Sequence, residues 1–232
     1  QVNISNNPSA RQVAPGTPGA FQTGSETTIS ASSNNNASGI WVMMMDSMNR
    51  YIAAIDASGG NPHVINAKFF TQNWPVRQDQ SGRSYLDRDL HFIAQYNDSV
   101  NYKVRFFYLN TQLNALIAGP YSGVTSQFDV VATKTPLLHN YNEYIGNENI
   151  SSVYSPYFFG ELSGDRYIDY LVTGIQSGNF YLHGGSTPIS SANFIPLVST
   201  SVNPMNIFNA TCGNPSAVQT LQYNCTNGYP YV

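Results

Sequence analysis

Charge is scarce in this chain. Only 10% of its 232 residues are Asp, Glu, Lys or Arg, against roughly a quarter in an average soluble domain. The ten Lys and Arg are scattered and the net charge is -3, so no basic patch is available for nucleic acid or an acidic membrane surface. No apolar run approaches the roughly 20 residues that a membrane-spanning helix needs, which argues against membrane insertion. Catalytic signatures are equally thin. There is no Gly-x-Ser-x-Gly nucleophile turn, and His63, His91, His139 and His183 are dispersed, with no pair at helical spacing and no His-x-His. The four Glu and nine Asp fall mostly at turns, a poor setting for the facing carboxylates of glycoside cleavage. The expectation is a protein that is not an enzyme and carries no cofactor and no metal.

Two cysteines occur, Cys212 and Cys225, thirteen positions apart in a tail rich in Gly, Asn and Pro. A disulfide there would brace a segment with little core of its own, and a pair of buried free thiols is the alternative. Two sulfurs without a neighbouring histidine do not complete a tetrahedral zinc shell. The chain opens on Gln1, which reads as a mature, processed product.

What the chain does have is polar, uncharged surface and aromatic bulk. Asn, Ser, Thr, Gln and Tyr keep the surface wet, while 41% hydrophobic residues suffice for a core. That balance suits an extracellular or cell-surface location. Residues 1–39 are poor in large apolar side chains and end in a Ser- and Asn-rich run, so they read as an extended N-terminal arm whose short stretches, such as Thr27 to Ala31, can serve as strands for a neighbour.

From Ile40 short β-like runs alternate with turn clusters: Ile40 to Met45, Tyr51 to Ile55, Val64 to Phe70, Leu90 to Gln95, Asn101 to Leu109, Gln127 to Thr133, Arg166 to Thr173 and Gly178 to His183. Alternation puts Tyr102, Val104, Phe106 and Tyr108 on one face of a strand and Lys103, Arg105 and Phe107 on the other. Thr111 to Ala118 reads as the one helix, with Thr111 as cap and Gly119-Pro120 as stop. The expected fold class is all-β, an antiparallel β-sandwich of immunoglobulin or jelly-roll type. It occupies residues 40–185, with the arm before it and a disulfide-braced C-terminal tail, 186–232, packing on its own or a neighbouring subunit.

The order of these motifs resembles a module of secreted and cell-surface proteins of Bacteroidota that use type IX secretion. The resemblance rests on Tyr85-Leu86-Asp87-Arg88-Asp89 leading into a strand, on Val104 to Tyr108 followed by the turn Gln112 to Leu116, and on the closing strand Gly178 to Gly184, and it spans Val64 to Gly185. It implies a β-sandwich without known catalysis in a large extracellular protein. The chain departs from that pattern after Gly185, where no clear sorting domain follows.

Within Asp87-Arg88-Asp89 a local ion pair at a strand start is the expectation, since Asp-x-Asp alone lacks the further oxygens of a calcium loop. Tyr141, Tyr144, Tyr154, Tyr157, Phe158 and Phe159 crowd the low-charge connection Asn140 to Gly160. With Trp74, they are candidates for a subunit interface or a sugar-stacking platform, or the loop simply folds over a sandwich edge. Asn3, Asn97, Asn149, Asn209 and Asn224 each open an Asn-x-Ser/Thr glycosylation acceptor. Ser47 and Ser99, in Asp46-Ser47-Met48 and Asp98-Ser99-Val100, match the Asp-Ser/Thr-aliphatic O-glycosylation sites that the bacterial resemblance implies.

The functional expectation is a structural glycoprotein, a filament, sheath or adhesin subunit that polymerises with itself, head to tail, by donor-strand exchange through its arms. The alternative is a carbohydrate-binding or adhesive accessory domain, with glycans as its partners.

Overall fold

The computed structural model describes residues 13–14, 20–23, 27–29, 39–58, 60–71, 76–79, 81–136, 151–162, 165–174, 176–189, 198–200 and 223–225. The chain divides into two compact units, Gln1–Asn193 and Phe194–Val232.

The first unit is a β-sandwich of two antiparallel sheets. Its strands are β1 (Ala20–Thr23), β2 (Thr27–Ile29), β3 (Val42–Met45), β4 (Tyr51–Asp56), β5 (His63–Thr71), β6 (Arg77–Gln78), β7 (Ser84–Tyr85), β8 (Asp89–Ala94), β9 (Tyr102–Tyr108), β10 (Val131–Pro136), β11 (Ser152–Tyr154), β12 (Pro156–Leu162), β13 (Asp165–Val172) and β14 (Gly178–His183). The larger sheet runs β1-β5-β8-β14-β10-β11, with β2 also on β5 and the short β6 and β7 joined to β14. The smaller runs β12-β13-β9-β4-β3. The second unit's described part is a pair of strands, β15 (Val198–Thr200) and β16 (Tyr223–Cys225), antiparallel with Val198 opposite Cys225.

The period-2 pattern of β9 explains the layering. Tyr102, Val104, Phe106 and Tyr108 enter the main core, and Phe107 falls in a separate cluster on the far face. The rings of Phe106 and Phe180 meet across the sandwich at 5.1 Å and those of Phe92 and Tyr102 stack at 5.4 Å. Ile65, Ala67 and Phe69 of β5, Leu90 and Phe92 of β8 and Ile168 and Tyr170 of β13 complete this layer. Burial of such side chains contributes about 1.5–3 kcal/mol each. Tyr170 satisfies its hydroxyl by donating to the Val130 carbonyl at 3.0 Å.

Several local expectations are revised. The helix α1 covers Asn110–Ala118, and Thr111 does not cap it. Leu109 holds the cap position, and the Gln112 side chain accepts its backbone N–H at 3.1 Å. Gln127–Asp129 forms a 3-10 turn where a strand start was expected, because Asp129 accepts from the backbone of Thr125 and Ser126, each at 2.9 Å, and closes the chain on itself. The strand begins only at Val131. The described part of the connection expected over Asn140 to Gly160, residues 151–160, holds β11 and most of β12, with Pro156 at the first position of an edge strand, where a missing N–H costs no ladder bond.

The region expected as an arm contributes to the sandwich. β1 and β2 lie antiparallel along β5, Ala20 opposite Thr71 and Ile29 opposite His63. Val13 and Ala14 are buried, and Ala14 N–H donates to the Tyr51 carbonyl at 3.0 Å.

Candidate functional site

The outer face of the five-stranded sheet groups aromatic and charged side chains around Arg105. The grouping arises from strand alternation: Arg105 opposes Ala54 on one side and Asp169 on the other, and Phe158 opposes Asp169 one strand further out. The Arg105 guanidinium lies 4.1 Å from the Trp41 ring centre and 3.8 Å from that of Tyr167, and its Nε and Nη2 donate to the two Asp169 carboxylate oxygens at 2.7 and 2.8 Å. Paired stacking and a bidentate carboxylate fix the arginine in one orientation. Burial raises the Asp169 carboxyl above its ordinary value, with Arg105 and Lys103 pulling the other way.

Lys103 sits beside this pair, 3.4 Å from Asp56 and 5.7 Å from the Tyr157 ring centre. Tyr157 and Phe158 on β12 are 61% and 51% exposed, and Leu171 on β13 is 47% exposed. β12 ends the sheet, so one side of its backbone faces no described strand. A bulge between Pro156 and Phe158 interrupts its pairing there. Aromatic side chains on an open edge are what an added strand or a flat ligand would meet first.

The two acids of the Asp87-Arg88-Asp89 run share a cation from outside it, while Asp87 also acts electrostatically on Arg88. Asp87 and Asp89 both turn to Arg77 of β6, whose Nε is 3.0 Å from Asp87 and whose Nη2 contacts Asp89. Thr71 donates its hydroxyl to Asp87 at 2.8 Å. Arg88 points the other way, 4.2 Å over the Phe69 ring, and donates to the Ala14 carbonyl at 2.8 Å. Burial lowers its pKa to about 10, against the pull of Asp87 and Asp165. Every member of the cluster is buried, so it ties β5, β6 and β8 to the 13–14 segment rather than facing a ligand.

The histidines do not converge. His63 is exposed at the start of β5, packed edge-on against Tyr96 at 4.8 Å. His91 and His183 are buried, and burial pulls both to about 4, Lys68 adding to the effect at His91. With Nδ1 of His183 donating to the Gly184 carbonyl at 2.8 Å, its Nε2 accepts from Thr133 at 2.5 Å. Both ring nitrogens are engaged. His139 lies outside the described residues. Among the described residues no group of three or more His, Cys, Asp or Glu is placed to hold a metal ion, and no helix is long and apolar enough to cross a membrane.

Ser47, Asn97 and Ser99 are exposed in turns, as acceptor sites require. Asp46 and Asp98 shape the two serine turns alike, accepting the backbone N–H of Met48 at 2.9 Å and of Val100 at 3.0 Å. Asn3, Asn149 and Asn209 lie outside the described residues, as do Trp74, Tyr141, Tyr144 and Cys212. Asn224 and Cys225 lie on β16, where only the backbone is described. Of the aromatic candidates, Tyr157 and Phe158 are brought to the open edge, while Tyr154 is half-buried on β11. Trp41 and Tyr167, not singled out in the sequence, complete the face. The alternation that places Arg105 outward and the expected strand Arg166 to Thr173 were the available signals; the pairing of that strand with β9, which brings Tyr167 beside Arg105, was not.

No family model, no curated protein and no solved structure matches this chain.

Proposed function

We propose that the chain is a non-enzymatic structural protein of the cell surface, a subunit that polymerises head to tail by exchanging its N-terminal strands. The observation that carries this reading is the seat of β1 and β2. Both lie on the same side of β5, a nine-residue strand whose Ile65, Ala67, Phe69 and Phe70 are at most 1% exposed. Without them β5 would be a long bare edge, a template for any passing strand. Strands held at an edge by backbone ladders, and joined to the sandwich by a Ser- and Asn-rich link at residues 30–38, can occupy the same edge of the next copy at almost no enthalpic cost. Such heterologous contacts propagate rather than close.

The finer calls belong to the same proposal: an immunoglobulin or jelly-roll type of sandwich, a Cys212–Cys225 disulfide bracing the tail, glycosylation at the exposed Ser47 and Ser99, and export as a type IX cargo. They rest on composition and on the resemblance over Val64 to Gly185. Negative-stain electron microscopy of the full chain and of residues 40–232 tests the reading. Filaments of the full chain that vanish with the arm support it, and identical filaments from both, or none from either, reject it.

The exposed aromatic edge favours a second reading, an adhesive module that stacks sugars. Replacing Tyr157 and Trp41 by Ala abolishes glycan-array binding under that reading and leaves polymerisation intact.

A further inference from the structure

The inner row of β10 contains an amine. Register pairs Ala132 with Leu182 and Lys134 with Phe180, so Lys134 continues the core-facing side of the strand. Its stem passes over Gly178, where an added Cβ would lie 2.8 Å from the lysine Cε. The residue is 8% exposed and lines a cleft of about 270 Å³ together with Thr135, Pro136, Ser152, Tyr154, Thr173, Gln176 and Ser177. None of these is acidic. Ser177 is held by a reciprocal bond with Ala94, accepting from its N–H at 3.0 Å and donating to its carbonyl at 3.2 Å.

An ammonium drawn this far from water, with no facing carboxylate among the described residues, is costly, and burial lowers the Lys134 pKa to about 8. A ligand that supplies the missing negative charge recovers that cost on binding. Ser152, Thr173 and Gln176 give the cleft neutral polar groups, and Tyr154 and Pro136 give it apolar surface. The volume lies just under the roughly 300–1,000 Å³ of ordinary small-molecule sites, which suits a small ligand.

We propose that this cleft binds a small hydroxylated carboxylate, of the uronic-acid class, with Lys134 pairing its carboxylate. The site stands at the end of the sandwich and is independent of strand exchange.

The chain has three lysines, Lys68, Lys103 and Lys134, so each is followed separately by mass spectrometry after brief acylation with acetic anhydride. Millimolar glucuronate is expected to slow acylation of Lys134 at least fivefold, with no change at Lys68 and Lys103, while glucose and acetate leave all three unaffected. Equal acylation of Lys134 with and without glucuronate overturns the proposal. Protection by glucose overturns the role of the carboxylate, and equal protection by acetate overturns the sugar-acid assignment. Calorimetric titration with glucuronate gives a second readout: binding lost in Lys134→Gln and partly restored in Lys134→Arg supports the pairing, and unchanged affinity in Lys134→Gln rejects it.

Discussion

The ring of Tyr167 lies on the bare backbone of Gly160 in the neighbouring strand, at the place a Cβ would occupy. The same ring stacks on Arg105. One glycine on an edge strand therefore sets the position of the aromatic that orients the central arginine of the outer face. Gly160→Ala drives the ring off its seat and costs about 1–3 kcal/mol, the usual penalty of overpacking. Urea unfolding measures it, with the exposed neighbour Glu161→Ala as a control expected within about 0.5 kcal/mol of wild type.

Arg77 holds two buried carboxylates at once. Arg77→Met leaves Asp87 and Asp89 facing each other without that cation and is expected to cost about 3–5 kcal/mol. Adding Asp87→Asn and Asp89→Asn to it recovers much of the loss, because removing the whole buried ionic group costs far less than removing one partner. The guanidinium chloride midpoints of the three proteins decide this.

Acid sensitivity follows from His91 and His183. Both are neutral in the fold, with pKa values near 4 against 6.5 in the unfolded chain. The unfolded state thus binds more protons between those values, so stability is full above pH 6.5 and declines as pH falls towards 4. Each histidine contributes on the order of 3 kcal/mol to that decline. Thermal midpoints measured across the window are expected to fall on acidification, and the slope is expected to lessen in His183→Gln, whose amide cannot take up the proton.

Strand exchange leaves a covalent signature. Thr23 and Lys68 are register partners across β1 and β5. Cysteines at these two positions, in a background with Cys212 and Cys225 changed to Ser, close within one chain when the arm is seated at home. Under polymerising conditions the disulfide is expected to join separate chains and give a ladder on a non-reducing gel. Monomer alone in the presence of filaments rules out the β1–β5 exchange.

The strands with clean alternation or strong apolar density were legible in advance, and β9 and β14 are the clearest cases. Val104 and Phe106 alternate with charged partners because one face meets the core, and that pattern is visible without any partner strand. β12 was not legible: it starts on Pro156, carries a bulge, and its side chains are half-exposed on both faces, so neither the period nor the propensity marked it. β1 was hidden for a related reason, and Thr27 to Ala31, where β2 lies, read only as an extended stretch able to serve a neighbour. Their stability comes from the edge of β5, a long-range pairing that polar four- and three-residue stretches do not announce. The cation that Asp87 and Asp89 share was equally hidden, since Arg77 comes from β6, outside the run.

The outer face of β9 was readable by parity, and its arginine was placed correctly. Its function as a face was not, because Trp41 and Tyr167 arrive from β3's approach and from β13. Lys134 shows the converse. Parity sends it inward, and only the tertiary arrangement, with Gly178 clearing its path, makes a lysine tolerable there.

β11 and β12 are separated by Ser155 alone, yet one borders the nine-stranded sheet and the other the five-stranded sheet. The chain therefore stitches the two layers together along one side with a single-residue seam. Tension applied there cannot peel one layer open while leaving the other at rest; both outer ladders must shear together, and load spreads over two sheets at once.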